Sequence, residues 1–383
     1  MKALVFERSV PRFAAARVAG SLVAGSGARV GPLSLTDVDE PHVNRPGWVR
    51  VRPRLAGICG SDLATIDGRS SRYFEPIVSF PFVPGHEVVG ELDDGARVVV
   101  VPVLRCAARG VDPMCDMCRA GRINLCERVA FGHIEPGLQT GFCADTGGGW
   151  GISLMAHGSQ LRSVPDDMSD EAAVMVEPTA CAVHAARAIG DREVAVVGAG
   201  TLGLLTIAAV RRITQPRGPL IATAKHPEQR RLARDLGADV VVEPGALERA
   251  VRSSTRSLQF GGQLSSGIDT VVDCVGSEAS LAQALRIVAP GGSVLLVGMP
   301  GPVTVDLTGL WHREVNLRGC YAYDDSDFDA AFDLVADAGL ARLVTASYPL
   351  DRYRDAIDHA AHAGSRGAVK IAFDLRAERE RRR

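Results

Sequence analysis

The sequence predicts an α/β protein of two domains, a mainly β first half followed by a doubly wound parallel sheet, and three observations carry that prediction. Residues 48–55, 87–92 and 97–104 are short β-type runs separated by Gly and Pro, with no sustained helical period. From residue 193 the texture changes to apolar runs at 193–198, 220–224, 239–243, 269–275, 293–297 and 314–319, with helical stretches such as 202–212, 228–236 and 281–288 between them. Strands that alternate with helices imply a parallel sheet covered by those helices. The third observation is a glycine signature, Gly198-Ala-Gly200-Thr201-Leu202-Gly203, set between the first of these runs and the first of these helices.

In chain order, residues 14–30 are rich in Ala and Gly but interrupted by Arg17 and Arg29, which reads as a loop or linker and not as a signal peptide. A cytoplasmic location is the resulting expectation. Residues 1–187 form the first predicted domain and 188–327 the second. Residues 328–383 carry a helix, a strand-like 343–349, another helix and the apolar run 369–373, and are expected to return to the first domain. Residues 251–267, with five serines and three glycines, read as a surface loop.

Composition narrows the function. With 46% apolar and 23% charged residues the chain is an ordinary globular protein, and its formal net charge of −2 provides no cationic field for nucleic acid. No apolar run approaches the roughly 18–20 residues that span a bilayer, so no membrane role is expected. Nine cysteines without an export signal point to metal binding, chemistry or burial in preference to disulfides. Cys106, Cys115, Cys118 and Cys126 alone cluster in sequence.

The glycine signature reads as a dinucleotide site. Its glycines permit a tight turn, a close backbone approach to a pyrophosphate and close strand–helix packing, and the following helix offers free N–H groups. An NAD site carries an acidic residue about 20 residues further on. Here that place reads Ala222-Thr223-Ala224-Lys225-His226. A ribose 2′-phosphate would meet Lys225, with Arg230 as a further contact, so NADP is favoured over NAD. Cys274 and Val275, following a later strand, are expected to border the nicotinamide by their backbone.

Two short motifs in the β half carry chemistry: Gly57-Ile-Cys59-Gly-Ser61-Asp62 and Gly85-His86-Glu87. A thiolate and an imidazole suit zinc, and catalytic zinc keeps about three protein ligands with one open position. These motifs, the Cys115/Cys118/Cys126 spacing and the glycine signature occur in an order that resembles the zinc-containing medium-chain alcohol dehydrogenases, over nearly the whole chain. The resemblance implies a GroES-like catalytic domain and a Rossmann cofactor domain. It places Glu177 at the third zinc position, as in the sorbitol, threonine and glucose dehydrogenase branch, and allows Glu87 into the coordination shell. It also implies that Asp62 orients His86 and that Ser61 starts a proton relay from the substrate oxygen.

The cysteine cluster resembles that family's structural zinc lobe, with four ligands and no open position. Cys115, Cys118 and Cys126 keep the spacing, but Asp112 stands three residues before Cys115 and Cys106 stands nine before it. Either residue would complete the site. Trp150, after Gly147-Gly-Gly and flanked by His133, Asp145 and His157, is expected either to border the substrate pocket or to belong to a structural loop; Cys143, Cys181 and Cys320 read as small buried hydrophobes.

The predicted activity is hydride transfer between NADP(H) and a small alcohol or carbonyl compound, in a homodimer or homotetramer. A zinc hydrolase needs no dinucleotide, and a zinc-free enone or quinone reductase needs neither Cys59 nor His86. A non-catalytic relative or a reductase of C=C or C=N bonds is the alternative.

Overall fold

A computed structural model describes residues 1–298 and 301–377. They fall into two compact units, residues 1–177 with the chain from Gly339 onward, and residues 178–338. The first division thus lies inside the helix Val176–Ile189, before 187/188, and the return begins at Gly339, not at residue 328. A specific contact explains the second difference. Asp327, on the first turn of the helix Asp325–Asp337, pairs with His184 and Arg187 of Val176–Ile189 at 2.6 and 2.7 Å. That pins the helix Asp325–Asp337 to the second unit.

Asp327 is 1% exposed. Burial drives its pKa up, but His184, the Asp324 N–H and Arg187 outweigh that and hold it below the ordinary 3.8. A lowered carboxylate pKa contributes stability that is complete above the unfolded value and is lost as pH falls through the folded one. Asp327→Asn is therefore expected to destabilise the protein by about 2 kcal/mol at neutral pH, the scale of hydrogen bonds to a buried charge. The gap should close below about pH 4, near the unfolded carboxylate value, when urea unfolding of variant and parent is compared across pH.

The first unit is mainly β. Trp48–Gly57 is its central strand, paired antiparallel with Val88–Glu91, with Lys370–Asp374 and, at its other end, with Leu154–His157. Val344–Tyr348 extends the sheet beyond Lys370–Asp374, and Arg97–Val100 with Leu161–Ser163 extends the opposite side. The separate pair Lys2–Phe6 and Leu33–Asp37 brings Leu4, Val5 and Phe6 into a core with Phe82, Trp150 and Phe373.

In this unit one expectation is overturned and one pair of alternatives is decided. Residues 14–30 are not a linker: Val10–Leu22 and Gly27–Val30 are helices. Their small residues serve close packing. A Cβ on Gly20 would lie 2.5 Å from Asp67 Cβ, and the buried Asp67 carboxylate accepts the Gly25 and Gly27 N–H groups at 2.8 and 3.1 Å. Trp150 does not border a substrate pocket but is fully buried. Its ring stands edge-on to Phe373 at 5.0 Å and its one N–H donates to the Gly57 carbonyl at 3.2 Å, which satisfies both its apolar body and its polar tip.

The second unit is a six-stranded parallel sheet in the order Val240–Val242, Ile221–Thr223, Val194–Val197, Ile268–Asp273, Val288–Leu296, Asn316–Gly319. That is the 3-2-1-4-5-6 order of doubly wound dinucleotide-binding sheets. Val194–Val197 is buried at every residue, as a strand covered on both faces must be. The stretch 251–267 is not a plain loop. It finishes the helix Leu247–Thr255, whose Leu247 and Val251 pack into the core one turn apart, and forms a hairpin of Gln259–Phe260 and Gln263–Leu264. Gly261 and Gly262, at φ +52° and +77°, supply the two positive dihedrals of its turn. Among the described residues no helix is long and apolar enough to cross a membrane.

Candidate metal and dinucleotide sites

Cys59 closes the central strand's exit and is the N-cap of the helix Gly60–Ile66; its N–H donates to Asp62 Oδ2 at 2.9 Å. His86 and Glu87 come from the chain entering Val88–Glu91, the strand paired with Trp48–Gly57, so strand pairing itself brings the two motifs together. Sulfur, ring nitrogen and carboxylate oxygen of Cys59, His86 and Glu87 lie within 4.8 Å of one another. Ser61 is half-buried on the first turn of the same helix, its carbonyl accepting the Thr65 hydroxyl at 2.9 Å.

The donor set fits a zinc ion on three observations. Its groups are a thiol, an imidazole and a carboxylate, the usual zinc ligands. His86 Nδ1 and Asp62 Oδ1 are buried, face each other at 3.5 Å and have no hydrogen-bond partner. That orientation turns His86 Nε2 away from Asp62. Finally, the group attracts positive charge: burial lowers the His86 pKa, but Asp62 and Cys59 outweigh it and raise it well above 6.5.

Glu177 is also buried, on the first turn of Val176–Ile189, but its carboxylate does not join the three donors. A residue that sequence reasoning missed stands in their midst. Lys370, 2% exposed, ion-pairs with Glu87 and donates to the Ile58 carbonyl at 3.3 Å. Burial lowers its pKa, but Glu87, Cys59 and Glu177 outweigh that and raise it. Gly57 makes room for the pair, since a Cβ there would lie 1.9 Å from Glu87 Oε2.

At the second cluster the structure takes Cys106. The sulfurs of Cys106, Cys115, Cys118 and Cys126 lie within 4.8 Å of one another, whereas Asp112 is exposed and outside the group. The short helix Cys106–Arg109 ends in left-handed Gly110, after which the chain doubles back so that the Cys115 N–H meets Cys106 Sγ at 3.4 Å. The Cys118 and Arg128 N–H groups likewise point at Cys115 and Cys126 sulfurs, at 3.5 and 3.4 Å. Cys106 and Cys126 sulfurs are 3.7 Å apart. Four sulfurs around a tetrahedral ion at 2.3 Å would stand about 3.8 Å apart, so the cluster fits zinc. Buried Arg109, also missed in the sequence, donates to the carbonyls of Leu104, Phe131, Ile134 and Gly137 and holds the neighbouring loop.

In the second unit the glycine signature follows the strand Val194–Val197 and opens the helix Thr201–Ile213, with Gly200 as N-cap. Gly198 has φ +91° and a Cβ there would meet Val275 Cγ2 at 2.4 Å; a Cβ on Gly203 would meet the Gly198 carbonyl at 1.8 Å. Protein packing requires those two glycines. Gly200 is different: its backbone is extended and no atom lies within 4 Å of its Cβ position. Neither strain nor packing demands glycine there, which leaves the approach of a ligand as the reason.

Thr223, at the end of the next strand, accepts the Gly198 N–H at 2.9 Å and so braces the turn. Lys225 is exposed and makes no ion pair among the described residues, while Arg230 pairs with Glu243 at 3.1 Å and donates to the Lys225 carbonyl at 3.0 Å. Cys274 lies behind the turn, 3.7 Å from Thr206 Oγ1, and burial pushes its thiol up to about 12, which leaves it unreactive near neutrality. Cys143 and Cys320 are buried and Cys181 is half-buried. His133 accepts from the Trp48 indole at 3.2 Å.

Comparison with known proteins gives a consistent picture. Residues 45–166 match the alcohol dehydrogenase GroES-like domain and residues 202–337 the zinc-binding dehydrogenase family. The chain is 30% identical to sorbitol dehydrogenase of Arabidopsis thaliana, covering 86% of this chain and 89% of that one. It is 27% identical to L-idonate 5-dehydrogenase of Vitis vinifera, over 86% and 88%. Acetophenone reductase from Geotrichum candidum, solved with NAD, shares the fold with a TM-score of 0.73 at 21% identity, over 97% of this chain and 96% of that one.

Proposed function

Because the chain belongs to the zinc-containing medium-chain alcohol dehydrogenase family, and is a zinc-dependent oxidoreductase acting on alcohols, we propose that it interconverts a polyol and its carbonyl counterpart using NADP(H). The observation that carries this reading is the convergence of Cys59, His86 and Glu87. Zinc held there would supply Lewis acidity that lowers the pKa of a substrate hydroxyl, and the dinucleotide would accept the hydride.

The protein's own groups do the rest. Cys59, His86 and a carboxylate from Glu87 or Glu177 hold the ion, and Asp62 fixes the His86 ring. Lys370 sets how far the Glu87 carboxylate is free to engage. Ser61 would relay the substrate proton toward solvent, its hydroxyl accepting that proton as it gives up its own. Cys106, Cys115, Cys118 and Cys126 hold a second zinc that organises their loop. Gly200, Thr201 and Leu202 offer N–H groups to the pyrophosphate, with the turn around Cys274 and Val275 behind them.

The names of the relatives make polyols the first substrates to test. The strand Asn316–Gly319, exposed at every residue along the edge of its sheet, supports assembly into a homodimer or larger homo-oligomer, since such edges pair readily. A cytoplasmic site of action fits nicotinamide chemistry.

Free Lys225 and the absence of an acidic residue beside it support NADP. A ribose 2′-phosphate gains a charge-assisted contact there. NADPH is expected to bind at least about tenfold more tightly than NADH, one such contact being worth about 1.4 kcal/mol or more. Lys225→Asp should narrow or reverse the gap in fluorescence titrations. Equal affinities in the parent protein defeat the assignment, and a panel of polyols assayed with each cofactor at the nicotinamide band tests the activity.

A further inference from the structure

At the amino ends of the strands in the second unit, the opposite end of the sheet from Gly198–Gly203, lies a hollow of about 470 Å³. That volume falls within the range of small-ligand sites. Strand register builds its floor: Thr270 stands opposite Ser293, and Ser293 opposite Asn316, across three neighbouring strands. Alternate residues share a face, so Leu295 and Arg318, also in register, continue the same surface. Val271 and Val294, on the other face, belong to the apolar core. Ala188, near the end of Val176–Ile189, and Arg192 just beyond it form one wall, and the apolar Val315 and Leu317 line the hollow at the sheet edge.

The chemistry of this lining is one-sided. Arg192 and Arg318 are exposed and neither makes a salt bridge among the described residues, and no carboxylate lines the hollow. Guanidinium groups stay charged at any physiological pH and only donate. Two hydroxyls, of Thr270 and Ser293, add further donors; the Asn316 amide already donates to the Gly292 carbonyl at 3.4 Å. Arg192 also borders a second hollow of about 270 Å³ beside Arg217 and Asp269, the Asp269 carboxylate there accepting the Glu193 N–H at 3.3 Å.

We propose that the larger hollow binds a small multiply charged oxyanion, a phosphate monoester or a dicarboxylate, between Arg192 and Arg318. No thiol, imidazole or carboxylate lines it, so the ligand is bound and not transformed.

The test uses the full-length protein with NADPH saturating, so that the glycine turn does not report, at constant ionic strength. Calorimetric titration with inorganic phosphate, glycerol 3-phosphate and succinate is expected to show saturable binding of at least one. The affinity should fall about tenfold or more in Arg192→Ala/Arg318→Ala, the worth of a charge-assisted contact, and largely return in Arg318→Lys alone. Binding of both phosphates without succinate assigns a phosphate ester, and the reverse a dicarboxylate. No saturable binding in the parent, or equal binding in the double variant, overturns the proposal.

Discussion

Cys59→Ala is expected to lower kcat/KM by about 10³-fold or more while leaving dinucleotide affinity nearly unchanged. Lewis-acid stabilisation of developing charge is worth several kcal/mol, and about 4 kcal/mol corresponds to a thousandfold in rate. The substitution removes one of three converging donors and the sulfur's half of the Cys59–Asp62 capping box, but keeps the other half, the Cys59 N–H donating to Asp62 Oδ2 at 2.9 Å. The proposed dinucleotide site, residues 198–203, lies in the other unit. Metal content should drop from about two zinc ions per chain to about one, since a closed four-sulfur site keeps its own ion. The same loss of metal in Cys126→Ser, with activity retained, would separate the two sites. Unchanged turnover in Cys59→Ala refutes its role.

Why these features were readable is a matter of range. The glycine signature, the β/α alternation and the motifs around Cys59 and His86 are local patterns whose spacing reflects a turn or a strand period, and the structure sets each where the pattern implies. Whatever depends on chain reversal was at most partly readable, and at the cysteine cluster the sequence left Cys106 and Asp112 both open. Cys106 lies off the expected spacing because Gly110 turns the chain in a left-handed step, φ +62°, before it reaches Cys115. Trp150 looked like a pocket residue because it follows three glycines. Those glycines instead bring backbone close, since a Cβ on Gly148 would meet the Val83 carbonyl at 2.0 Å, and Gly85, far off in sequence, makes room for the indole, which a Cβ there would meet at 2.4 Å. Residues 14–30 read as a linker because Ala and Gly carry no periodic signal, yet their smallness lets them pack against Asp67. Lys370 did leave a trace, a cation directly before the apolar run Ile371-Ala372-Phe373 of the buried strand Lys370–Asp374, where burial demands a partner.

That partner is 283 residues away in sequence, and removing one side of the pair is expected to have the largest effect on stability of any single change near the metal site. Lys370 and Glu87 are 2% and 1% exposed. Lys370→Met keeps the length of the side chain but leaves the Glu87 carboxylate buried without its cation, at a cost of about 3–5 kcal/mol. Glu87→Gln alone strands the ammonium in the same way, relieved only in part by the Ile58 carbonyl. The double variant Glu87→Gln/Lys370→Met removes both charges, so it should recover much of the loss; a coupling of about 1–3 kcal/mol is the scale for contacting residues. Denaturant unfolding of the four proteins, each stripped of metal by chelator and each reloaded, measures that coupling in both states. If Glu87 divides its carboxylate between Lys370 and the ion, loading the metal should shrink the coupling, because the cation then has a substitute. A coupling that is the same with and without metal makes the pair purely structural, and additive single losses would show that the two charges do not depend on each other at all.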